Sequence, residues 1–580
     1  MRSLELSESL QREIRRWKAA VDPDDVGLFA RRLQWEGLDE DDLESLLMPA
    51  SSRGEASPEW KRELDDLCAA CRAAASRPFS PKGRSDSLEI AFSFLLQPIV
   101  DRTVDRLREE CPELFIGSTS KTVEIAAVSL LRRLSEVCGR AFAEDFAETR
   151  PVGKTLVLRL GAPPPGGHSG TAIYEAWCRR HLENGLQRLL ERFPPLGRLM
   201  VVVCGQWRQN AANLLRRLQA DRDVLEERFG IFRNAPLTGI DWELSDPHRG
   251  GQRVALLVFG DATAPFRVLY KPKDMRMEAR FQDVVAEVGR WLGDPSWRGF
   301  DVVCRGADYG YAAFVEGRPC ADAAERSAFY RNAGRLLALL HLLGATDAHC
   351  ANLIAAGPLL HLIDAETLFQ SRSSPDRESG MAEGPHLLGR MGESVLRCGF
   401  LPVWTLVGGD KAAIDISAMG AKSPAGSVPV PGWLHINTDD MVWAEVSRQP
   451  DHPPSLPVPF GTSNPLAGHV GDIEAGFDEV YRLAMREPHR KRLLAAVRAF
   501  DGVSHRLVLR ATRVYALLQD AALAPEALSD ANSRAFILEK LARRCLLDSQ
   551  KGPLWNVFQA ELRDMENLDI PYFEHGLGGD

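Results

Sequence analysis

Thr346-Asp347-Ala348-His349-Cys350-Ala351-Asn352, followed by Leu362-Ile363-Asp364-Ala365-Glu366, are the stretches on which the reading of this chain turns. The first sets an aspartate and an asparagine at Asp-x4-Asn spacing, close enough to share one tight turn. Asp364 comes at the end of the apolar run Leu359-Leu360-His361-Leu362-Ile363, which reads as a buried strand. A carboxylate there is well placed to hold a magnesium ion. A base (Asp347), a metal-binding amide (Asn352) and a metal-binding carboxylate (Asp364), in that order, are the minimum set for moving a phosphoryl group. Asp-x4-Asn alone is a common coincidence of polar loop residues; the strand-borne aspartate behind it makes the combination informative.

The same spacing occurs in the catalytic loop of protein kinases, and the flanking segments keep kinase order. Arg253–Phe259 and Pro265–Tyr270 are short β-prone runs on either side of Gly260-Asp261-Ala262-Thr263-Ala264, a hairpin signal. A helix carrying Met277, Phe281, Val284, Val285, Val288 and Trp291 on one face follows, then strand-like runs at Val302–Cys304 and Tyr311–Val315. From Ala324 a long amphipathic helix leads into the Asp347 loop. The predicted fold class is α+β: a helical N-terminal region, then a two-lobed protein/lipid-kinase-like fold. Its expected divisions are a helical region over 1–200, a small lobe over 201–325 and a large lobe over 326–580. Residues 371–470, rich in Gly, Ser and Pro, read as an enlarged activation segment.

Up to about residue 200 the pattern is helical. Leu10, Ile14, Trp17 and Val21 recur at spacings of three and four, Asp86-Ser87-Leu88-Glu89 reads as a capping box opening a helix from Ile90, and Tyr174–Phe193 reads as one helix ending at Pro194-Pro195. With 580 residues the chain is too long for one core. A formal net charge of -9 argues against general nucleic-acid or anionic-membrane binding. The start lacks a signal-peptide core and no apolar run reaches membrane-span length. The eleven cysteines read as reduced thiols, and Cys68-Ala-Ala-Cys71, without a second pair, as ordinary helix cysteines. The expected location is the cytoplasm.

Lys271, at the end of the second hairpin strand, is the expected grip on nucleotide phosphates, with Glu287, chosen over Glu278, as its carboxylate partner on the next helix. Before the hairpin, Ser245-Asp246-Pro247-His248-Arg249-Gly250-Gly251 occupies the position of a phosphate-covering loop. Asp246 repels phosphate, so Asp246 and His248 make better sense if the site also moves a proton. His349 orients the loop, shuttles protons or serves structure; the sequence leaves these open. Glu366, two residues after Asp364, is expected to point the same way and offer a second metal or water contact. Arg506 and Arg510, four apart, would share a helix face as a phosphate clamp or form a solvated basic face.

Taken in order, Ser245-Asp246-Pro247-His248, Tyr270-Lys271-Pro272-Lys273, Thr346–Asn352, Ile363–Phe369, Arg506–Tyr515 and Asp569-Ile570-Pro571-Tyr572-Phe573 resemble the dehydratase domain of class II lanthipeptide synthetases. Trp17, Phe29 and Leu33 resemble the opening of that family more loosely. The resemblance implies an enzyme that uses ATP and Mg2+ to phosphorylate Ser and Thr of a ribosomally made precursor peptide. The same site then eliminates phosphate to give dehydroalanine or dehydrobutyrine. By that analogy Lys271, Asp347, Asn352 and Asp364 serve phosphoryl transfer, while Asp246, His248, Arg506 and Thr512 fall on elimination positions. Elimination needs a base for the α-proton and a cationic cradle for the departing phosphate. The family's cyclase element, Cys-His-Gly, does not occur in this sequence. The chain is therefore expected to be a dehydratase fragment or a separate enzyme with its own cyclase partner, and it is credited with no ring closure.

Two other readings compete. A kinase that stops at phosphorylation accounts for Lys271, Asp347, Asn352 and Asp364 but leaves Asp246, His248, Arg506 and Thr512 as structural. A catalytically dead peptide-binding module is opposed by the intact Lys271, Asp347, Asn352 and Asp364.

Overall fold

A computed structural model of the chain describes residues 2–47, 59–80, 90–115, 119–151, 153–159, 170–261, 263–370, 394–402, 404–407, 412–420, 428–448, 454–457, 466 and 468–578. Helices dominate the described residues up to position 230. Trp17 and Val21 lie buried on the helix Arg2–Val21, as their spacing predicts. The expected capping box at 86–89 lies outside the described residues, and the helix behind it runs Ser93–Glu110. The period from Tyr174 to Phe193 is divided into Ala172–Glu183 and Gln187–Arg192, because Gly185 and Leu186 take left-handed backbone angles (φ 62° and 65°). Pro195 then opens the helix Pro195–Ala220, where its missing N–H is harmless. That helix crosses the division drawn at residue 200, and Arg222–Phe229 extends the helical region further.

Five strands follow: β1 (Leu237–Asp241), β2 (Ala255–Phe259), β3 (Phe266–Lys271), β4 (Val302–Arg305) and β5 (Tyr309–Ala313). They form one antiparallel sheet in the order β1-β2-β3-β5-β4. The sequence reading missed β1, a mixed run with Gly239 at its centre. Ala255, Leu257 and Phe259 of β2, with Val268 and Tyr270 of β3, alternate onto one face. They are buried in the same core as Trp207, Leu214 and Leu218 of the N-terminal helices. Asp221, fully buried between two of those helices, accepts from the Tyr309 and Tyr311 hydroxyls at 2.8 and 3.1 Å and pairs with Arg305 at 2.7 Å. The helical region is thereby fixed to the sheet.

The helix Arg276–Leu292 turns Met277, Phe281, Val284 and Val288 into a second core, with Phe329, Leu336 and Leu340 of the helix Ala323–Leu342. The hairpin β6 (Leu353–Ala356) and β7 (Leu359–Leu362) closes this core. Helices Ala323–Leu342 and Val470–Ala484 pack so closely that a Cβ on Gly334 would sit 2.0 Å from the Ile473 carbonyl oxygen, and one on Gly476 1.8 Å from that of Arg331. Both positions therefore require glycine.

Within the 371–470 segment, residues 371–393, 403, 408–411, 421–427, 449–453, 458–465 and 467 lie outside the described residues. The described parts include the paired strands β8 (Trp404–Val407) with β9 (Ala412–Asp415), and β10 (Val428–Leu434) with β11 (Val442–Arg448). Near the C-terminus β12 (Ser504–Leu507) pairs antiparallel with β13 (Phe573–Gly576). A third core joins Trp17 and Phe29 to Tyr515, Phe536, Trp555 and Phe558, with the buried Arg32 guanidinium held bidentately by Glu539 at 2.9 and 3.0 Å. The architecture is a largely helical N-terminal region joined to smaller β-sheets and further helices, consistent with two lobes. Among the described residues no helix is long and apolar enough to cross a membrane.

Candidate active site

The Asp347 loop is built by its backbone. Asp347 adopts φ 61°, a left-handed conformation costly for a residue with a Cβ. Its neighbours hold it there. The Thr346 amide donates to the Thr367 carbonyl (3.1 Å), the Ala348 amide to Cys398 (2.7 Å), and Asn352 Nδ2 to the Asp347 carbonyl itself (2.8 Å). The Ile363 amide donates to the Asn352 carbonyl (3.0 Å), so the end of β7 delivers Asp364 beside the loop. His349 Nδ1 accepts from the Ala351 amide (3.2 Å), which leaves the proton on Nε2, 3.4 Å from Asp347 Oδ1. Partial burial raises the Asp347 carboxyl from its ordinary range, with His349 opposing and Asp364 adding to the effect.

Asp347, His349, Asn352 and Asp364 line an open cleft of about 310 Å³. Asp246, His248, Glu366, Arg506 and Thr512 line the same cleft. Residues from four separate stretches of the chain are thus gathered into one space.

At the cleft's centre is a charge cluster that the sequence reading only partly anticipated. Lys273 Nζ lies 2.8 Å from Glu278, 3.0 Å from Asp364 and 2.7 Å from Glu366. Burial opposes the charge on Lys273, but these carboxylates outweigh it and hold the ammonium well above its ordinary value. Glu366 also pairs with Arg506 (2.6 Å) and accepts from the Tyr572 hydroxyl (3.1 Å). Burial alone would raise the Glu366 carboxyl; Lys273 and Arg506 prevail and hold it well below the usual carboxylate range.

Several expectations are corrected here. Lys271 does not line the cleft: its Nζ is buried, donating to the Ile363 carbonyl at 2.7 Å and standing 3.9 Å from Glu278. Lys273 is the lysine that faces the cleft. The carboxylate beside these lysines is Glu278, not Glu287. Glu278 lies in the first turn of the helix, whereas Glu287 lies on its far part, bonded to Arg290 and the Trp291 indole. Arg506 and Arg510 share no helix face, because Arg506 is on β12 and the next helix starts at Thr512. Arg510 is turned away, onto Glu561 (2.7 Å) and the Leu541 carbonyl (2.7 Å). Glu366 does reach toward Asp364, through their shared Lys273, but both its oxygens are engaged by Lys273, Arg506 and Tyr572. The oxygens left as acceptors are Oδ2 of Asp364 and Oδ1 of Asn352, a hard-oxygen pair that fits Mg2+.

The Asp246–Gly251 loop is held by the closing motif. Asp569 accepts from the Gly250 and Gly251 amides, both at 2.7 Å, and the Ile570 amide donates to the Pro247 carbonyl at 2.8 Å. The Ile570 carbonyl takes the Nδ1 proton of His248 (2.7 Å), which leaves Nε2 as the imidazole's basic nitrogen. Burial lowers the His248 pKa, opposed by this bond. The Tyr572 ring lies against His248 and under the guanidinium groups of Arg249 and Arg506, at 4.5 and 4.9 Å. Lys273, Asp569 and Tyr572 had all been quoted in motifs without a role. Two-residue spacing across Pro272 marks Lys271 and Lys273 as same-side neighbours, but no sequence signal ties Asp569 to glycines more than 300 positions earlier.

Residues 193–575 match a family described as "Domain of unknown function (DUF4135)". The chain is also 22% identical, over 463 residues, to the "Lacticin 481/lactococcin biosynthesis protein LcnDR2" of Lactococcus lactis subsp. lactis. That alignment takes in 76% of this chain but 46% of the relative, so the chain spans about half the length of the protein it matches.

Proposed function

The chain belongs to the DUF4135 family, and on that premise we propose that it is a lanthipeptide-type dehydratase with a kinase-like, two-lobed catalytic fold. It phosphorylates Ser and Thr of a ribosomally made precursor peptide with ATP, then eliminates the phosphate to leave dehydroalanine or dehydrobutyrine. The carrying observation is that one cleft holds two chemistries side by side: Asp347, Asn352 and Asp364 for phosphoryl transfer, and Asp246, His248, Arg506 and Thr512 for elimination. A kinase alone has no use for the second set. The similarity to a protein named for lacticin 481/lactococcin biosynthesis supports the peptide substrate.

Asp347 is the base that takes the hydroxyl proton of the peptide Ser or Thr, with His349 Nε2–H holding its carboxylate in place. Asn352 and Asp364 would hold Mg2+, which supplies charge neutralisation on the ATP phosphates. Among the described residues no three His, Cys, Asp or Glu side chains close around a metal, so the remaining ligands would be phosphate oxygens and water. Lys273, braced by Glu278, supplies positive charge in the cleft, and Lys271 stands behind it between Glu278 and the Ile363 carbonyl. For elimination, neutral His248 presents Nε2 to the cleft and is placed to take the α-proton. Arg506, on Glu366 and Tyr572, faces the phosphate.

The test is intact-mass analysis of the precursor encoded beside this gene after incubation with the protein, ATP and Mg2+. Loss of one or more waters is expected, with Arg506→Ala leaving phosphopeptide behind. Phosphate gain without water loss in the unmodified protein would reduce it to a kinase and remove the roles given to Asp246, His248, Arg506 and Thr512.

A further inference from the structure

Behind the Asp246–Gly251 loop lies a second, small cavity, of about 70 Å³, between the helices Thr119–Glu148 and Pro195–Ala220 and the sheet. Gln252, Arg253 and Pro272 line both this cavity and the cleft, forming the partition between them. Arg253 is the charged member. It is half-buried, and among the described residues it makes no hydrogen bond and no ion pair. Glu136, Glu243 and Asp246 act on its charge only from beyond ion-pair distance, and Arg133 repels it. Glu136 is itself paired with Arg133 at 3.0 Å, and Glu243 with Arg132.

The other cations of the cleft are already compensated: Lys273 by three carboxylates, Arg506 by Glu366, Arg249 by Glu574 at 2.6 Å. An arginine withdrawn from water without a partner is costly, and a ligand anion would remove that cost. Building on the dehydration read above, we propose that Arg253 is a further catalytic residue, which receives the phosphate of the phosphorylated Ser or Thr and stabilises it as it departs. In the step it serves, the Cα–H bond breaks and its proton goes to the base. The electron pair forms the Cα=Cβ double bond, and the Cβ–O bond breaks with its pair leaving on phosphate. Negative charge grows on the leaving oxygen, where an uncompensated guanidinium with a bidentate fork acts most strongly.

Two measurements decide it. Calorimetric titration of the full-length protein with inorganic phosphate should give binding that Arg253→Gln weakens at least tenfold and Arg253→Lys weakens less; equal affinity in all three overturns the proposal. With precursor, ATP and Mg2+, Arg253→Gln should accumulate phosphopeptide at near-normal phosphorylation rate, with partial rescue of water loss by Arg253→Lys. Phosphorylation and elimination falling together would show a structural role and overturn it, as would unimpaired water loss. Should the unmodified protein neither phosphorylate nor dehydrate, the dehydratase reading fails while the phosphate titration still rules on Arg253.

Discussion

Replacing Asp569 with Asn tests whether the closing motif organises the part of the cleft proposed to serve elimination. The Asp569 carboxylate accepts two backbone bonds at 2.7 Å, from Gly250 and Gly251, and is buried. Asparagine keeps one acceptor but sets its own N–H2 against the second glycine amide, so one bond is lost and one becomes neutral. A hydrogen bond to a charged group contributes about 1.5–3 kcal/mol, and a buried donor left unpaired costs about 1–3 kcal/mol. Burial raises the Asp569 carboxyl, because its charge is poorly solvated there. Asparagine relieves that penalty, which brings the net loss to about 2–4 kcal/mol. The loss is local to the loop, so the readout is amide exchange of the Gly250 and Gly251 N–H groups, which should speed up roughly 30- to 700-fold. Intact-mass analysis of the same variant should show phosphopeptide accumulating, because His248 is oriented by the same segment. Exchange within threefold of the unmodified protein, with water loss intact, would refute the reasoning.

Glu366→Gln should cost about 3–5 kcal/mol in urea unfolding at pH 7, since it leaves the Arg506 guanidinium beside a neutral amide while Lys273 keeps Glu278 and Asp364. The Glu366 carboxyl is depressed on folding, so its contribution is complete above an unfolded value of about 4.3 and is lost as pH falls through its folded value. Stability measured downward from pH 5 should therefore fall less steeply in the variant; equal slopes would count against the pairing. The His248 imidazole is lowered by burial, so phosphate loss from isolated phosphopeptide should stay level from pH 8 down to about 6.5 and decline only below. A limb centred above 6.5 would remove His248 as the base. Finally, Glu278→Gln should abolish ATP-dependent activity and cost about 3–5 kcal/mol of stability, while Glu287→Gln should stay within about 0.5 kcal/mol and keep activity. The reverse pattern, read by mass gain of the peptide and urea unfolding, would restore Glu287.

The residues close together in sequence were the ones best read from it. The apolar run ending at Ile363 and the Asp-x4-Asn loop are local objects, and hydrogen bonds across a few residues place Asp347, Asn352 and Asp364 together. The β2–β3 hairpin and the helix behind it were legible from periodicity and a turn signal. Short β1, interrupted by Gly239, had too little pattern to register. The choice of Glu287 failed because helical phase fixes the face a residue occupies but not its distance from a strand end: Glu278 and Glu287 are nine positions apart, and only the former begins the helix beside Lys271. Arg506 and Arg510 were given helical spacing when β13, arriving from residues 573–576, draws Arg506 into a strand. That partner is distant in sequence and could not be seen from either arginine.

The pairing of the closing motif with the Asp246–Gly251 loop also sets an order in time. A chain emerging from the ribosome exposes Lys273, Asp347, Asn352 and Asp364 well before Asp569 and Tyr572 are made. Until those last residues emerge, the two glycine amides lack their acceptor and the Nδ1 proton of His248 lacks its carbonyl. The growing polypeptide thus carries Asp347, Asn352 and Asp364 before the Asp246–Gly251 loop gains its acceptors, and one late segment completes that loop.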